Sequence, residues 1–243
     1  MQVGINTAVY EDEVKAGASQ LDCIKTLVGR NEIGAVEVRG EFFKPTTKDT
    51  ELAAISQLCR DNHWDLYYSV PEELFGPNGY NASLQTNLDM AAKYQIKSLK
   101  YSLGKVSLMS SSTLSQLRQL LTSSQTQVTI ENQPNDNGQL AVVETALDWI
   151  EQQQLPLGYT FDSGNWYWID QQPEPAFATL KSAITVFHLK DIKNQNTVML
   201  GDGDTDWQQL LKALPNTTPI FIEYNIQSQN LPEQIALVQQ ALS

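Results

Sequence analysis

The chain has 243 residues, 41% hydrophobic and 18% charged, which is enough apolar matter for a sizeable core and argues against wholesale disorder. Its 16 lysines and arginines face 28 acids, and the resulting net charge of −12 repels phosphodiester backbones, so no nucleic-acid partner is expected. No apolar run approaches the roughly 20 residues that span a bilayer, and Met1 to Asn6 enter directly on a strand-like stretch without a basic leader, so a cytoplasmic protein with no membrane partner is the expectation.

Along the chain, short β-branched or aromatic runs begin near Val3, Ala35, Leu66, Lys97, Gln127, Gly158, Ile184 and Pro219. The starts recur about every thirty residues, the length of one strand–helix unit. Helical spacing fills the intervals, as in Leu52, Ile55, Leu58 and Cys59, or Leu140, Val143, Leu147 and Ile150. Eight strands alternating with eight helical segments predict parallel strands joined by right-handed crossovers, and eight is the number that closes a barrel. The fold class read from this rhythm is an α/β (β/α)8 TIM barrel, one domain over residues 1–243. The length agrees, since such barrels have about 250 residues. An open doubly wound sheet is the alternative, but it calls for a Gly-rich turn after an early strand, and none is present. Cys23 and Cys59 fall in helix-like segments and read as packed thiols. The triplets at Asn81 and Asn216 resemble glycosylation acceptors, and without a secretory signal they carry no weight.

In such a barrel the chemistry sits at the C-terminal ends of the strands. The first strand ends at Asn6. The second ends Val36-Glu37-Val38-Arg39, and alternation puts Glu37 and Arg39 on one side. If that side faces inward, Arg39 serves either to hold a substrate oxygen or to pair internally with Glu37. Tyr68 on the third strand is a weaker candidate. Strands five to eight close on Glu131, Asp162, His188 and Glu223, each next to a large apolar residue. Singly each has an ordinary explanation: a carboxylate after a strand opens a turn or caps a helix, and a strand histidine is commonly a core residue. As a set they point further. Three acids crowded into a barrel mouth repel one another unless a cation sits among them. Three carboxylates and one imidazole suit one divalent ion, Mn²⁺, Mg²⁺, Co²⁺ or Zn²⁺. Lys190, two residues past His188, shares its direction and serves either a substrate oxygen or charge balance. Trp166, Tyr167 and Trp168 follow strand six and offer a wall for the C–H face of a sugar, though helix packing accounts for at least one of them. The segment Gly201-Asp202-Gly203-Asp204-Thr205-Asp206 fails the EF-hand pattern, because Trp207 and Ala213 stand where Gly and Glu are required. It reads as a turn with Asp206 capping the next helix.

Ile130-Glu131-Asn132, Phe161-Asp162-Ser163-Gly164-Asn165-Trp166, His188-Leu189-Lys190-Asp191, Gly201-x-Gly203-x-x-Asp206-Trp207 and Ile222-Glu223 together resemble the xylose isomerase-like TIM barrels, the superfamily of sugar (phosphate) isomerases and epimerases. The resemblance implies that Glu131, Asp162, His188 and Glu223 hold the metal and that Glu131 and Glu223 also move protons through an enediolate. It implies a small carbohydrate substrate, with Arg39, Lys190, Asn165, Trp166 and Glu37 as candidate contacts. A metal-dependent dehydratase of inosose or dehydroshikimate type uses the same parts, and a non-catalytic sugar-binding barrel is the reading from another class. Members related to endonuclease IV need several further histidines. This chain has only His63 besides His188, and Asn165 stands where those members carry histidine. No phosphate cradle is evident, and a homo-oligomer is compatible with the sequence.

Overall fold

The computed structural model describes residues 2–242. Its barrel strands are β1 (Val3–Asn6), β2 (Ile33–Arg39), β3 (Asp65–Gly76), β4 (Ser98–Gly104), β5 (Gln127–Glu131), β6 (Leu157–Asp162), β7 (Ile184–Leu189) and β8 (Ile220–Ile222). Each begins within two residues of its expected start. Every neighbouring pair is parallel, and β1 pairs with both β2 and β8, so the sheet closes on itself. The chain is an eight-stranded parallel (β/α)8 barrel.

The connecting helices are α1 (Glu11–Lys15), α2 (Gln20–Lys25), α3 (Lys48–Asp61), α4 (Leu84–Tyr94), α5 (Ser111–Ser123), α6 (Leu140–Gln152), α7 (Pro173–Leu180), α8 (Trp207–Ala213) and α9 (Leu231–Ala241). The first crossover holds two short helices in place of one. Leu52, Ile55 and Cys59 bury one stripe of α3, and Val143, Ala146 and Ile150 do so on α6, the spacing that turns one helix face to the sheet. Asp206 caps α8 through a bond from the Gln209 N–H at 3.4 Å. Cys23 and Cys59 are free and buried, and burial pushes their thiols up to about 11 and about 12. Among the described residues no helix is long and apolar enough to cross a membrane.

Strand alternation sorts side chains into two compartments. Outward residues such as Val128, Ile130, Phe161, Phe187 and Leu189 build the main core beneath the helices. Phe161 lies 5.4–5.7 Å from Phe187, Trp166 and Phe177, ring centroid to centroid, and ties two strands to α7. The lumen has its own small apolar cluster of Ala35, Tyr67, Val186 and Phe221. Tyr67 and Phe221 meet edge to face at 4.8 Å, although β3 and β8 are not neighbours, so the contact crosses the barrel. Gly4 makes room for it, since a Cβ there would lie 2.5 Å from the Phe221 ring. This cluster forms a floor, and everything above it in the lumen is polar.

Candidate metal centre

Each acid at the mouth has one oxygen fixed by its surroundings. Asp162 Oδ1 accepts the backbone N–H groups of Gly164 and Asn165 at 2.8 and 3.1 Å. Glu223 Oε1 accepts Arg39 Nη1 at 2.8 Å and Asn6 Nδ2 at 3.1 Å. Glu131 Oε2 accepts Lys100 Nζ at 2.7 Å. Glu131 Oε1 and Glu223 Oε2 thus remain and lie around Nδ1 of His188, while Asp162 Oδ2 accepts Lys190 Nζ at 2.6 Å. Nδ1 is 2.8 Å from Glu131 Oε1 and 2.9 Å from Glu223 Oε2. Neither approach has hydrogen-bond geometry, and all three atoms are buried without a hydrogen-bond partner. Glu131, Asp162, His188 and Glu223 each offer a ligand atom, and the four lie within 4.8 Å of one another. Orphaned buried donors and acceptors converging on one point fit a metal ion, and the hard oxygen-rich set fits a divalent one. The cluster can hold a metal.

The opposite ring nitrogen strengthens the fit. His188 Nε2, also without a partner in hydrogen-bond geometry, lies 2.7 Å from Glu37 Oε2, and Glu37 accepts Asn6 Nδ2 at 2.8 Å. A carboxylate behind the imidazole directs the other nitrogen toward an ion. Glu37 is almost fully buried below the ligands, so the structure places it behind His188 and away from the mouth.

The lumen carries balanced charge. Four carboxylates (Glu37, Glu131, Asp162 and Glu223) face Arg39, Lys100, Lys190 and His188. Burial alone would raise Glu131, but Lys100 and His188 outweigh it and hold its carboxyl at about 2. Asp162 goes the other way, to about 6, because burial with Glu223 and Glu131 exceeds the pull of Lys190. Burial disfavours charge on His188, yet Glu223, Glu37 and Glu131 hold its imidazole well above the usual value.

Other expected residues sort clearly. Arg39 and Lys190 line a cavity of about 400 Å³ at the mouth together with Glu223, Phe42, Trp168 and Asn225. Arg39 bridges Glu223 and Glu41, and Lys190 Nζ reaches Asp162 Oδ2 at 2.6 Å. Asn165 is buried, its amide donating to the Asn132 carbonyl at 2.8 Å, so it braces the β5 and β6 ends. Trp166 was a candidate sugar wall. The structure turns it away from the mouth and packs it, fully buried, 5.6 Å from Phe161. Trp168 is the mouth aromatic, 38% exposed. Tyr68 faces the outer core against Phe43, and Tyr167 bonds Thr205.

Sequence reasoning missed two residues. Lys100 shares the inward face of its strand with Ser98 and Ser102, and the alternation of these polar residues with Leu99, Tyr101 and Leu103 was the signal. Asp191 is fully buried and accepts the N–H groups of Gly201, Gly203 and Thr205 at 2.9, 3.0 and 3.1 Å. It organises that loop. A Cβ at Gly203 would lie 1.9 Å from its carboxylate.

Solved structures share this closed parallel barrel. No protein-family model matches the chain, and no curated protein matches it. A D-tagatose 3-epimerase-like protein aligns over 100% of this chain and 97% of its own, with 16% identity and a TM-score of 0.72. A xylose isomerase domain protein from Planctomyces limnophilus aligns over 99% and 94%, with 17% identity and a TM-score of 0.63. A probable 3-DHS dehydratase from Bacillus anthracis aligns over 100% and 98%, with 13% identity and a TM-score of 0.67. The chain shares the TIM-barrel fold of these xylose isomerase-like and epimerase-like structures.

Proposed function

We propose that the protein is a metal-dependent carbohydrate isomerase or epimerase, with Glu131, Asp162, His188 and Glu223 as metal ligands and Glu131 and Glu223 as the proton-transfer pair. The observation that carries this reading is the convergence of Glu131 Oε1, Glu223 Oε2 and His188 Nδ1, buried without hydrogen-bond partners, with Asp162 completing a set of ligand atoms within 4.8 Å of one another. When bound, a divalent ion supplies a Lewis acid for the carbonyl of a sugar.

The chain's own residues supply the rest. Glu131 and Glu223 are ionised, since neighbouring cations hold both carboxyls below the usual range against the effect of burial. One removes the proton on the carbon beside the carbonyl and gives an enediolate, and the other returns a proton. Return to the opposite face gives an epimerase. Lys100 fixes the direction of Glu131, while Arg39 and Asn6 fix that of Glu223. Arg39 and Lys190, at the mouth cavity, hold substrate oxygens and offset the enediolate charge. Trp168 presents a face for sugar C–H groups. Glu37 and Asn165 hold His188 and the strand ends, and Trp166 holds the core behind them.

Deuterium exchange tests the reaction. Incubated with Mn²⁺ in heavy water and a panel of ketoses, the protein is expected to place deuterium on the carbon next to the carbonyl of at least one sugar. Exchange should be lost in Glu131→Gln. No exchange across the panel by protein with Mn²⁺ bound would sink the isomerase and epimerase reading. Loss of water from the sugar would instead identify a dehydratase, which shares the proton-abstraction step.

A further inference from the structure

We propose that Lys190 is a displaceable internal counter-ion: its ammonium holds the carboxylate oxygens that a divalent ion takes, and loading of the ion turns it out into the mouth cavity. The inference rests on the metal reading above and deepens it.

The three lumen cations divide by which oxygen they hold. Lys100 holds Glu131 Oε2 and Arg39 holds Glu223 Oε1, the outer oxygens that point away from the convergence. Both contacts are compatible with an ion. Lys190 differs. Asp162 has only Oδ2 left after Gly164 and Asn165 take Oδ1, and Lys190 Nζ bonds it at 2.6 Å. Glu223 has only Oε2 left after Arg39 and Asn6 take Oε1, and Lys190 Nζ lies 3.0 Å from it, outside hydrogen-bond geometry. The ammonium therefore sits on two of the inner oxygens. A divalent ion and an ammonium on the same two oxygens repel each other at short range, so one excludes the other.

The lysine is built to move at its tip alone. Its N–H donates to Ser163 Oγ at 2.8 Å, and its carbonyl accepts the Ser163 hydroxyl at 2.9 Å. Its stem lies over Gly164, where a Cβ would be 2.9 Å from Lys190 Cδ. Beyond that, the side chain is 18% exposed and lines the mouth cavity, which gives the terminal carbon and its ammonium a place to swing. Two consequences follow. The stripped protein avoids leaving Asp162 and Glu223 as buried, uncompensated charges. The loaded protein frees an ammonium at the substrate's doorway, which couples ion loading to substrate binding.

Calorimetric titration of chelator-stripped protein with Mn²⁺ tests this. Lys190→Met should bind Mn²⁺ at least about tenfold tighter than wild type, because the competing charge-assisted bond is gone. Lys190→Gln serves the same purpose should the methionine variant fold poorly. A second readout uses the unaltered protein: amine acetylation followed by peptide mass spectrometry should find Lys190 protected when stripped and reactive once Mn²⁺ is bound, with Lys100 protected in both. Mn²⁺ affinity unchanged or weakened in the variants, or Lys190 acetylation unaffected by bound Mn²⁺, overturns the inference and leaves the metal centre standing. Absence of Mn²⁺ binding by wild type and variants alike overturns the centre itself, and this inference with it.

Discussion

At the scale of single residues, the site works by giving each functional side chain a partner that leaves one atom free. Lys100 is the plainest case, buried in the lumen and paired with Glu131 at 2.7 Å. Lys100→Met removes one partner of this buried pair, and the fold should lose roughly 3–5 kcal/mol in urea denaturation. Glu37 acts one step further out, on the far nitrogen of His188. Glu37→Gln keeps the shape but weakens the hold on the imidazole, and Mn²⁺ affinity measured by calorimetry should fall roughly 10–100-fold. An affinity equal to wild type would show that Glu37 does not orient His188.

At the scale of elements, strand alternation was legible and partners across the lumen were not. Glu131, Asp162, His188 and Glu223 could be picked out because each closes an apolar run, so a period of two assigns its face. Alternation put Glu37 on one side with Arg39 and left open which way that side faces; its contact with His188 joins β2 to β7 across the lumen, and no local pattern encodes that. Lys100 is followed by no motif and closes no apolar run, so nothing local marks its partner Glu131 on the next strand. Trp166 and Trp168 were indistinguishable because a single turn of 3-10 helix, Asn165–Ile169, sets their directions. That turn rests on Phe161, whose ring meets Trp166, Phe177 and Phe187. Phe161→Ala should cost roughly 3–5 kcal/mol by chemical denaturation. The loop from Gly201 to Asp206 depends on Asp191 in the same manner. Asp191→Ala strips three N–H groups of their acceptor, and limited proteolysis should then cut this loop first.

At the scale of the whole molecule, the repeat of about thirty residues predicted the barrel, but closure rests on β1 pairing with β8, residues from opposite ends of the chain. The strongly acidic total of −12 contrasts with the lumen, where three cations and His188 answer four carboxylates. A ligand that binds only the folded barrel stabilises all of it. At a free ion concentration of 100 times Kd the gain is about 2.7 kcal/mol, which for a chain of this size raises Tm by roughly 5–10 °C. The central claim is that four strand ends form one metal site, and metal analysis after equilibrium dialysis against Mn²⁺ tests it most directly. The account predicts one ion per wild-type chain and its loss in His188→Ala. A wild-type chain that retains no ion, or a His188→Ala chain that retains the full complement, would contradict it.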